Sequence, residues 1–342
     1  MIETSLPQSE PVMLPDRPFG RVLRSIAGYS LLTAMMIVTP LLVFVPAALF
    51  HCAIRNGRRA TWAALLMALA LASLYVSTVP ATPADTAKMA WTYLAGVALG
   101  IALPSMAALP LIERGEKFGR VLVLLLIGSS VGLAFTEVAS RALIDFSPFA
   151  AQVAQAHQTT ADFAPIYRSN GITPEMIRAI ERMTIYLMPA LTLAYVAVFF
   201  ILSLLMFGRL KAWRELNARR GDGEALGAYL FRNFSLPDWL LFAFLLGGLT
   251  PIAHGMLQKI AANVLALVAF LYILQGLAIF RFLLVAMGAG FMGTALGWLL
   301  LAFLTITGVG PLLLGVAGLF DPFFDFRHFK KRKDDSHESH SD

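Results

Sequence analysis

Long apolar runs separated by short polar connections fill most of this chain between Ile26 and Phe320. A run of about 20 apolar residues matches the thickness of a bilayer, and such a run favours lipid over water. The pattern therefore predicts an all-α fold, a polytopic transmembrane helical bundle. The apolar segments cover about residues 26–54, 60–79, 88–112, 121–144, 183–207, 236–254, 259–282 and 283–320.

The first and last of these segments are expected to form hairpins rather than single crossings. Pro40 and Pro46 interrupt the first, and proline inside a helix removes a hydrogen bond and clashes with the previous turn. We therefore expect residues 21–54 to form a span and a short or re-entrant return, hinged near Pro40. The last segment contains glycine and proline at 308–311 and is too long for one crossing, so it should cross twice or dip and return. The total is then eight to ten crossings.

The distribution of basic residues predicts the orientation of the bundle. Lys and Arg concentrate at cytoplasmic connections of membrane proteins, and with the two hairpins both termini are cytoplasmic. Of the 27 Lys and Arg residues, all but six then lie inside. The six on the outer side are Lys88, Arg141, Arg168, Arg178, Arg182 and Lys259. We expect a bacterial cytoplasmic (inner) membrane protein whose basic pI reflects this bias, with the lipid bilayer and not nucleic acid as its partner.

The same pattern divides the chain into five parts. The external part should contain short helices at the membrane surface, and Thr173, Pro174 and Glu175 are typical of a helix start. The parts are a cytoplasmic N-terminal segment 1–20, transmembrane helices 21–145, an external loop 146–182, transmembrane helices 183–320 with a cytoplasmic arm 208–235, and a basic cytoplasmic tail 321–342.

Catalytic and metal-binding motifs do not explain this sequence. Cys52 is the single cysteine, which excludes a disulfide framework, and no zinc-protease, P-loop or dinucleotide motif occurs. Residues 128–132 match the hydrolase pattern G-x-S-x-G, but that motif needs a strand-turn-helix elbow, whereas this copy lies in an apolar helical run. Small residues that let helices approach closely explain it better. We expect no enzyme, no cofactor and no metal.

Ionisable and amide side chains inside the apolar segments are the candidates for ligand binding. Glu137 and Arg141 are one helical turn apart, so they could form a solute or proton site, or a self-neutralising pair near the interface. Asn263 and Gln275 share one predicted helix and could bind a polar solute or join helices through hydrogen bonds.

Charged residues at two predicted cytoplasmic edges are the candidates for docking. The acids at the end of the last span could pair with the region of Arg232 and lock the two edges together, or could form a docking surface. The basic arm could bind a protein or anionic lipid. The docking candidates are Arg219, Arg220, Arg232, Asp321, Asp325 and Arg327.

Three motifs in the last third of the chain carry a family resemblance. They are the Phe-Arg-x-x-x-Leu-Pro-x-Trp entry at 231–239, the Gln-Gly-Leu at 275–277 and the exit that runs from Gly318 to Arg327. With the span layout of residues 20–328, they resemble the YybS-like family of bacterial multi-pass membrane proteins. The span pattern of that family is similar to that of substrate-binding membrane subunits of energy-coupling-factor transporters. The resemblance implies solute capture beside a transmembrane coupling protein with ATPase subunits, and it carries over no functional residues.

Two functions follow as hypotheses. The first is a small-solute uptake component without its own ATPase. The alternative is a non-transporting membrane scaffold or assembly factor that acts through its basic cytoplasmic arm.

Overall fold

A computed structural model describes residues 19–78, 84–211, 213–215, 229–324 and 326. Over these residues the chain forms thirteen α-helices with short 3₁₀ and π segments and no strand, so the predicted all-α fold is confirmed. The helices are α1 Phe19–Ile37, α2 Val45–Asn56, α3 Arg58–Thr78, α4 Ala84–Val97, α5 Leu103–Glu113, α6 Phe118–Ile144, α7 Pro148–Ser169, α8 Pro174–Tyr186, α9 Met188–Arg209, α10 Leu240–Gly247, α11 Gly255–Ala286, α12 Phe291–Ile306 and α13 Val309–Phe324.

The first two helices form an antiparallel hairpin. A 3₁₀ turn at Pro40–Phe44 separates them, which is where the sequence places the hinge. At the other end of the pair, the Asn56 side chain donates to the Ser25 hydroxyl at 2.9 Å. The Tyr29 hydroxyl lies 2.9 Å from Nδ1 of His51, between these two points. The end of α2 therefore returns to the beginning of α1.

A close contact between α6 and the preceding helices forms the centre of the bundle. Helices α4 and α5 continue through a π turn at Ala98–Ala102. The Ser129 hydroxyl of α6 donates to the Gly100 carbonyl at 2.5 Å, and a Cβ at Gly132 would lie 2.0 Å from the Leu99 carbonyl oxygen. The G-x-S-x-G segment is thus helical throughout and packs directly on backbone.

An aromatic cluster fixes both ends of the arm 208–235 to the bundle. Trp213 and Tyr229 are buried, and their ring centroids lie 5.0 Å apart. Phe118 and Phe207 pack edge-on against Tyr229, with centroids at 5.8 and 6.2 Å. Both ends of the arm are therefore held at one place, which we call the arm end of the bundle.

Two successive helices begin at the hydroxyl caps of the predicted external loop. The Ser147 hydroxyl accepts from the Ala150 amide at the start of α7. At the start of α8, the Thr173 hydroxyl accepts from the Met176 amide at 3.3 Å, so the predicted helix start is confirmed.

The C-terminal helices form a broken pair that packs on α11. The axes of α12 and α13 differ by 108°, and the break includes Gly308, whose φ is +78°. A Cβ at Gly276 would meet the Leu314 backbone, and one at Gly318 would meet the Tyr272 backbone. Residue numbers increase along α13 and decrease along the facing part of α11, so these two helices are antiparallel.

Five helices of the described residues are long and apolar enough to cross a membrane, or six if the bent pair counts as one span. The α1–α2 hairpin is not among these spans, and its second arm belongs to the shorter apolar stretch Pro40–Asn56. The protein is thus a multi-pass helical membrane protein by length and composition. The predicted eight to ten crossings and the cytoplasmic placement of both termini stay predictions. The five helices are Arg58–Thr78, Thr86–Glu113, Phe118–Ile144, Met188–Arg209 and Gly255–Ala286.

Candidate functional site

A cavity of about 700 Å³ lies between α4, α6 and α9 and is covered by α7. This volume falls within the range of about 300–1,000 Å³ that is typical of small-molecule sites. Helix α7 contributes Pro148, Phe149, Ala151, Gln152 and Gln155 to the wall, while none of its residues is fully buried. The cavity therefore has a firm wall of packed helices and one loosely packed cover.

The cavity extends along the helices away from α7. On α4 it runs from Met89 to Ile101 at the π turn, which is about 18 Å along a helix axis. On α6 it runs from Arg141 to Ser130, about 17 Å. The far part of the wall is apolar, and the charged and amide side chains lie at the α7 end.

Hydroxyl side chains in the wall already have acceptors for their protons. Each donates to a backbone carbonyl, so none offers the cavity a free donor in this arrangement. The five bonds run from Thr92 to Lys88, Tyr93 to Ile37, Ser130 to Leu126, Thr136 to Gly132 and Thr192 to Met188, at 2.7–3.0 Å. Chemically, the deeper cavity is an apolar chamber.

Glu137 and Arg141 form the predicted pair at the α7 end, with Arg141 Nε donating to Glu137 Oε1 at 2.6 Å. The Ser147 hydroxyl donates to the same oxygen at 2.6 Å, and the Phe149 amide donates to Oε2 at 2.9 Å. Arg141 Nη2 also donates to the Ser147 hydroxyl at 3.1 Å. Glu137 therefore caps α7 as well as pairing with Arg141, and the pair joins the cavity wall to its cover.

Asn263 joins α11 to the beginning of α9. Its side-chain oxygen accepts from the Ala190 amide at 2.9 Å, and its nitrogen donates to the carbonyls of Tyr186 and Lys259 at 3.1 and 2.9 Å. All of these partners are backbone groups, and Asn263 is not among the residues that line the cavity. The arrangement corresponds to the helix-joining alternative.

Gln275 is buried at the arm end of the bundle. Its Oε1 accepts from the Leu236 amide at 3.0 Å, and its Nε2 donates to Asp321 Oδ2 at 3.0 Å. One amide thus connects the end of the arm with α13. The two edges are joined through Gln275, which lies outside the cavity wall, and pairing of the acids with the region of Arg232 stays a prediction.

The other docking candidates have different surroundings. Arg232 is exposed in a short 3₁₀ turn, Phe231–Asn233, and Asp321 is buried. Arg219, Arg220, Asp325 and Arg327 lie outside the described residues.

The cover of the cavity is the part that sequence reasoning missed. Gln152 and Gln155 are one turn apart on α7, and with Pro148 they follow the spacing of a single helix face. That spacing is the signal that could have identified α7 as a cavity wall. The sequence prediction assigned the segment only to interfacial helices.

These features define a multi-pass, all-α membrane protein with a partly open cavity beneath a helical cover. The family described as "Predicted membrane protein (DUF2232)" matches residues 26–322, and the chain belongs to this family. No curated protein and no solved structure gives a significant match.

Proposed function

We propose that the protein is a small-solute uptake component of the bacterial inner membrane that binds its solute in the cavity between α4, α6, α7 and α9. The observation that carries this proposal is the cavity itself. It has the volume of a small-molecule site and a mainly apolar wall, with a few polar groups that converge at one end.

The mechanism follows from how the cover is held. Helix α7 is joined to α8 by the pair of His157 with Glu181 at 2.7 Å, and none of its residues is fully buried. Its attachment to the cavity wall passes through Glu137 and Ser147. Breaking this attachment would let α7 move and open the chamber without unfolding the bundle. The positive-inside pattern predicts that α7 lies on the external side, and on that orientation the chamber would load from outside.

Energy for release would come from elsewhere. The sequence contains no P-loop motif, so we propose a transmembrane coupling protein with ATPase subunits as the partner. The similarity of the span pattern to substrate-binding subunits of energy-coupling-factor transporters supports this choice, as does the early proline-broken hairpin.

Gly96 offers a direct test of the cavity. It lines the chamber, and a Cβ built on it meets no atom within 4 Å, so Gly96→Leu would fill the cavity without a backbone clash. Gly28 of α1 is a matched control, since it is also helical with open space around its Cβ. We expect native mass spectrometry to find a retained small molecule on the wild type and on Gly28→Leu, but not on Gly96→Leu. Equal retention by all three proteins would contradict a solute site in this cavity.

The partner is tested separately. Affinity purification from native membranes in mild detergent should recover a stoichiometric transmembrane protein together with ATPase subunits. Recovery of envelope or biosynthetic proteins without an ATPase would favour the alternative function, a membrane scaffold or assembly factor.

The fixed base of the arm is the observation that favours this alternative. Because Trp213 and Tyr229 hold both ends of the arm at one place, the arm has a defined position from which to bind a partner. Reversing the charges of Arg219 and Arg220 should then abolish partner recovery without lowering membrane insertion. Reversal of Arg178 and Arg182 on α8 is the matched control. A scaffold role through the arm is excluded if recovery is the same for both double variants.

A further inference from the structure

We propose that the ligand of this cavity is an amphipathic carboxylate, with an apolar body in the chamber and its carboxylate at the α7 end. This inference rests on the proposed solute-binding function and adds the chemical class of the solute. Two observations carry it: the separation of apolar and polar wall along the cavity, and the set of hydrogen-bond donors left over at one end.

The apolar body is required by the far part of the chamber. Val97, Ile101 and Val196 line it and are themselves almost fully buried. The wall hydroxyls nearby donate to carbonyls of their own or neighbouring helices. A polar body placed here would lose its hydration without gaining hydrogen bonds, which is unfavourable, whereas an apolar body gains by burial.

The polar end is defined by donors. Arg141 uses Nε for Glu137 and Nη2 for Ser147, and its Nη1 makes no hydrogen bond within the described residues. Its side chain is 59% exposed and belongs to the lining of the cavity. Gln152 and Gln155 line the same end from α7, and over the described part of the chain their amides are also without hydrogen-bond partners.

The sign of the ligand's charge follows from Glu137. Its carboxylate already accepts three hydrogen bonds and is paired with Arg141, so its capacity to bind a cation is largely used. The hydrogen-bond donors that remain at this end belong to the guanidinium of Arg141 and the amides of Gln152 and Gln155. A carboxylate has two acceptor oxygens and a single charge, and charge-assisted hydrogen bonds to such a group are stronger than neutral ones.

The test uses three probes with one chain length and different ends: octanoate, 1-octanol and octylamine. Binding to the full chain in lipid nanodiscs is measured by equilibrium dialysis against empty nanodiscs, which removes partition into lipid. We expect octanoate to bind at least about tenfold more tightly than octanol, and octylamine most weakly, because a hydrogen bond to a charged group is worth more than one to a neutral group. Octylamine binding as tightly as octanoate would overturn the inference.

Variants locate the carboxylate. Arg141→Gln should reduce the octanoate-to-octanol preference to near one. Arg120→Gln is the matched control, because Arg120 forms the same type of i,i+4 pair with Glu116 near the other end of α6. Since Arg141→Gln also removes bonds to the α7 cap, the double variant Gln152→Leu/Gln155→Leu tests the same end without touching that network. A preference unchanged in both Arg141→Gln and the double variant would overturn the assignment.

The source of the carboxylate is distinguished by competition. Oleate represents a membrane-borne fatty acid and octanoate a water-soluble one. If oleate displaces bound octanoate while it is present at a lower concentration than octanoate, the cavity is assigned to a membrane-derived fatty acid. That result keeps the ligand class and changes its source.

Failure of this inference differs from failure of the proposed function. If wild type retains a small molecule that Gly96→Leu lacks, but its measured mass and fragmentation show no carboxylate, the solute site stands and the ligand class is wrong. If no probe binds and no molecule is retained, both are wrong.

Discussion

The side chain of Gln275 donates to Asp321 and accepts from the backbone amide of Leu236, so one buried amide connects α11, α13 and the end of the arm. These three segments are far apart in the sequence. Each hydrogen bond is 3.0 Å long, and Gln275 is almost completely buried. The charged residues near Arg232 and Asp321 marked this edge in the sequence, but the neutral side chain of Gln275 connects its segments.

Replacing Gln275 should destabilise the arm end of the bundle. Gln275→Ala leaves the buried Leu236 amide without its acceptor, and an unsatisfied buried donor costs about 1–3 kcal/mol. We expect a lower thermal unfolding midpoint in detergent. Gln258→Ala on the same helix is the control and should leave the midpoint nearly unchanged. Equal midpoints for the two variants would show that the Gln275 amide does not join these segments.

Adding one methyl group at Gly132 should disrupt the centre of the bundle. A Cβ there would lie 2.0 Å from the Leu99 carbonyl oxygen, which is backbone and cannot move aside without displacing the π turn between α4 and α5. Overpacking of this kind costs about 1–3 kcal/mol, so Gly132→Ala should lower the unfolding midpoint. Gly28→Ala, where the Cβ meets open space, should be neutral or slightly stabilising because alanine favours helix. The packing account fails if Gly132→Ala is as stable as Gly28→Ala.

The two hydroxyl caps should act on separate helices. Ser147→Ala removes the α7 cap and one bond to Glu137, and loss of a cap costs about 1 kcal/mol. Amide hydrogen exchange at the start of α7 should accelerate several-fold. Thr173→Ala is the matched control and should accelerate exchange at the start of α8 instead. Faster exchange in both helices for either variant would mean that α7 and α8 open as one unit.

Trp213 should control the base of the arm. Its side chain is 1% exposed and packs against Phe207 and Tyr229, so Trp213→Ala removes a large buried ring from the cluster. A truncation of this kind costs about 3–5 kcal/mol in a well-packed core, and it should loosen the neighbouring backbone and so speed trypsin cleavage after Arg214, which is next to Trp213 in the chain. Trp62 of α3 is 42% exposed, and Trp62→Ala is the control that should leave the cleavage rate unchanged. Unchanged cleavage in Trp213→Ala would show that the cluster does not hold the arm.

The sequence predicted local features because they depend on local chemistry. Apolar runs identified the helices, Pro40 identified the first hinge, and Thr173 with Pro174 identified the start of α8. The i,i+4 spacing of Glu137 and Arg141 made a self-neutralising pair one of two alternatives, and the two side chains form an ion pair in the structure.

Relations between distant segments could not be predicted in this way. Asn263 and Gln275 have the same character and lie on the same helix, yet neither faces the chamber, because each finds backbone partners from a different part of the chain. The hydrogen bond from the Ser147 hydroxyl, the cap of α7, to Glu137 likewise depends on where the chain turns after α6.

The sequence by itself determined that this protein is an all-α, multi-pass membrane protein, since hydrophobicity and helical periodicity are properties of contiguous residues. Only the tertiary structure decided that four helices line one cavity and that Gln152 and Gln155 belong to its wall. A cavity is the space left by packed surfaces from distant parts of the chain, so no local pattern encodes its position, its depth or which polar groups meet inside it.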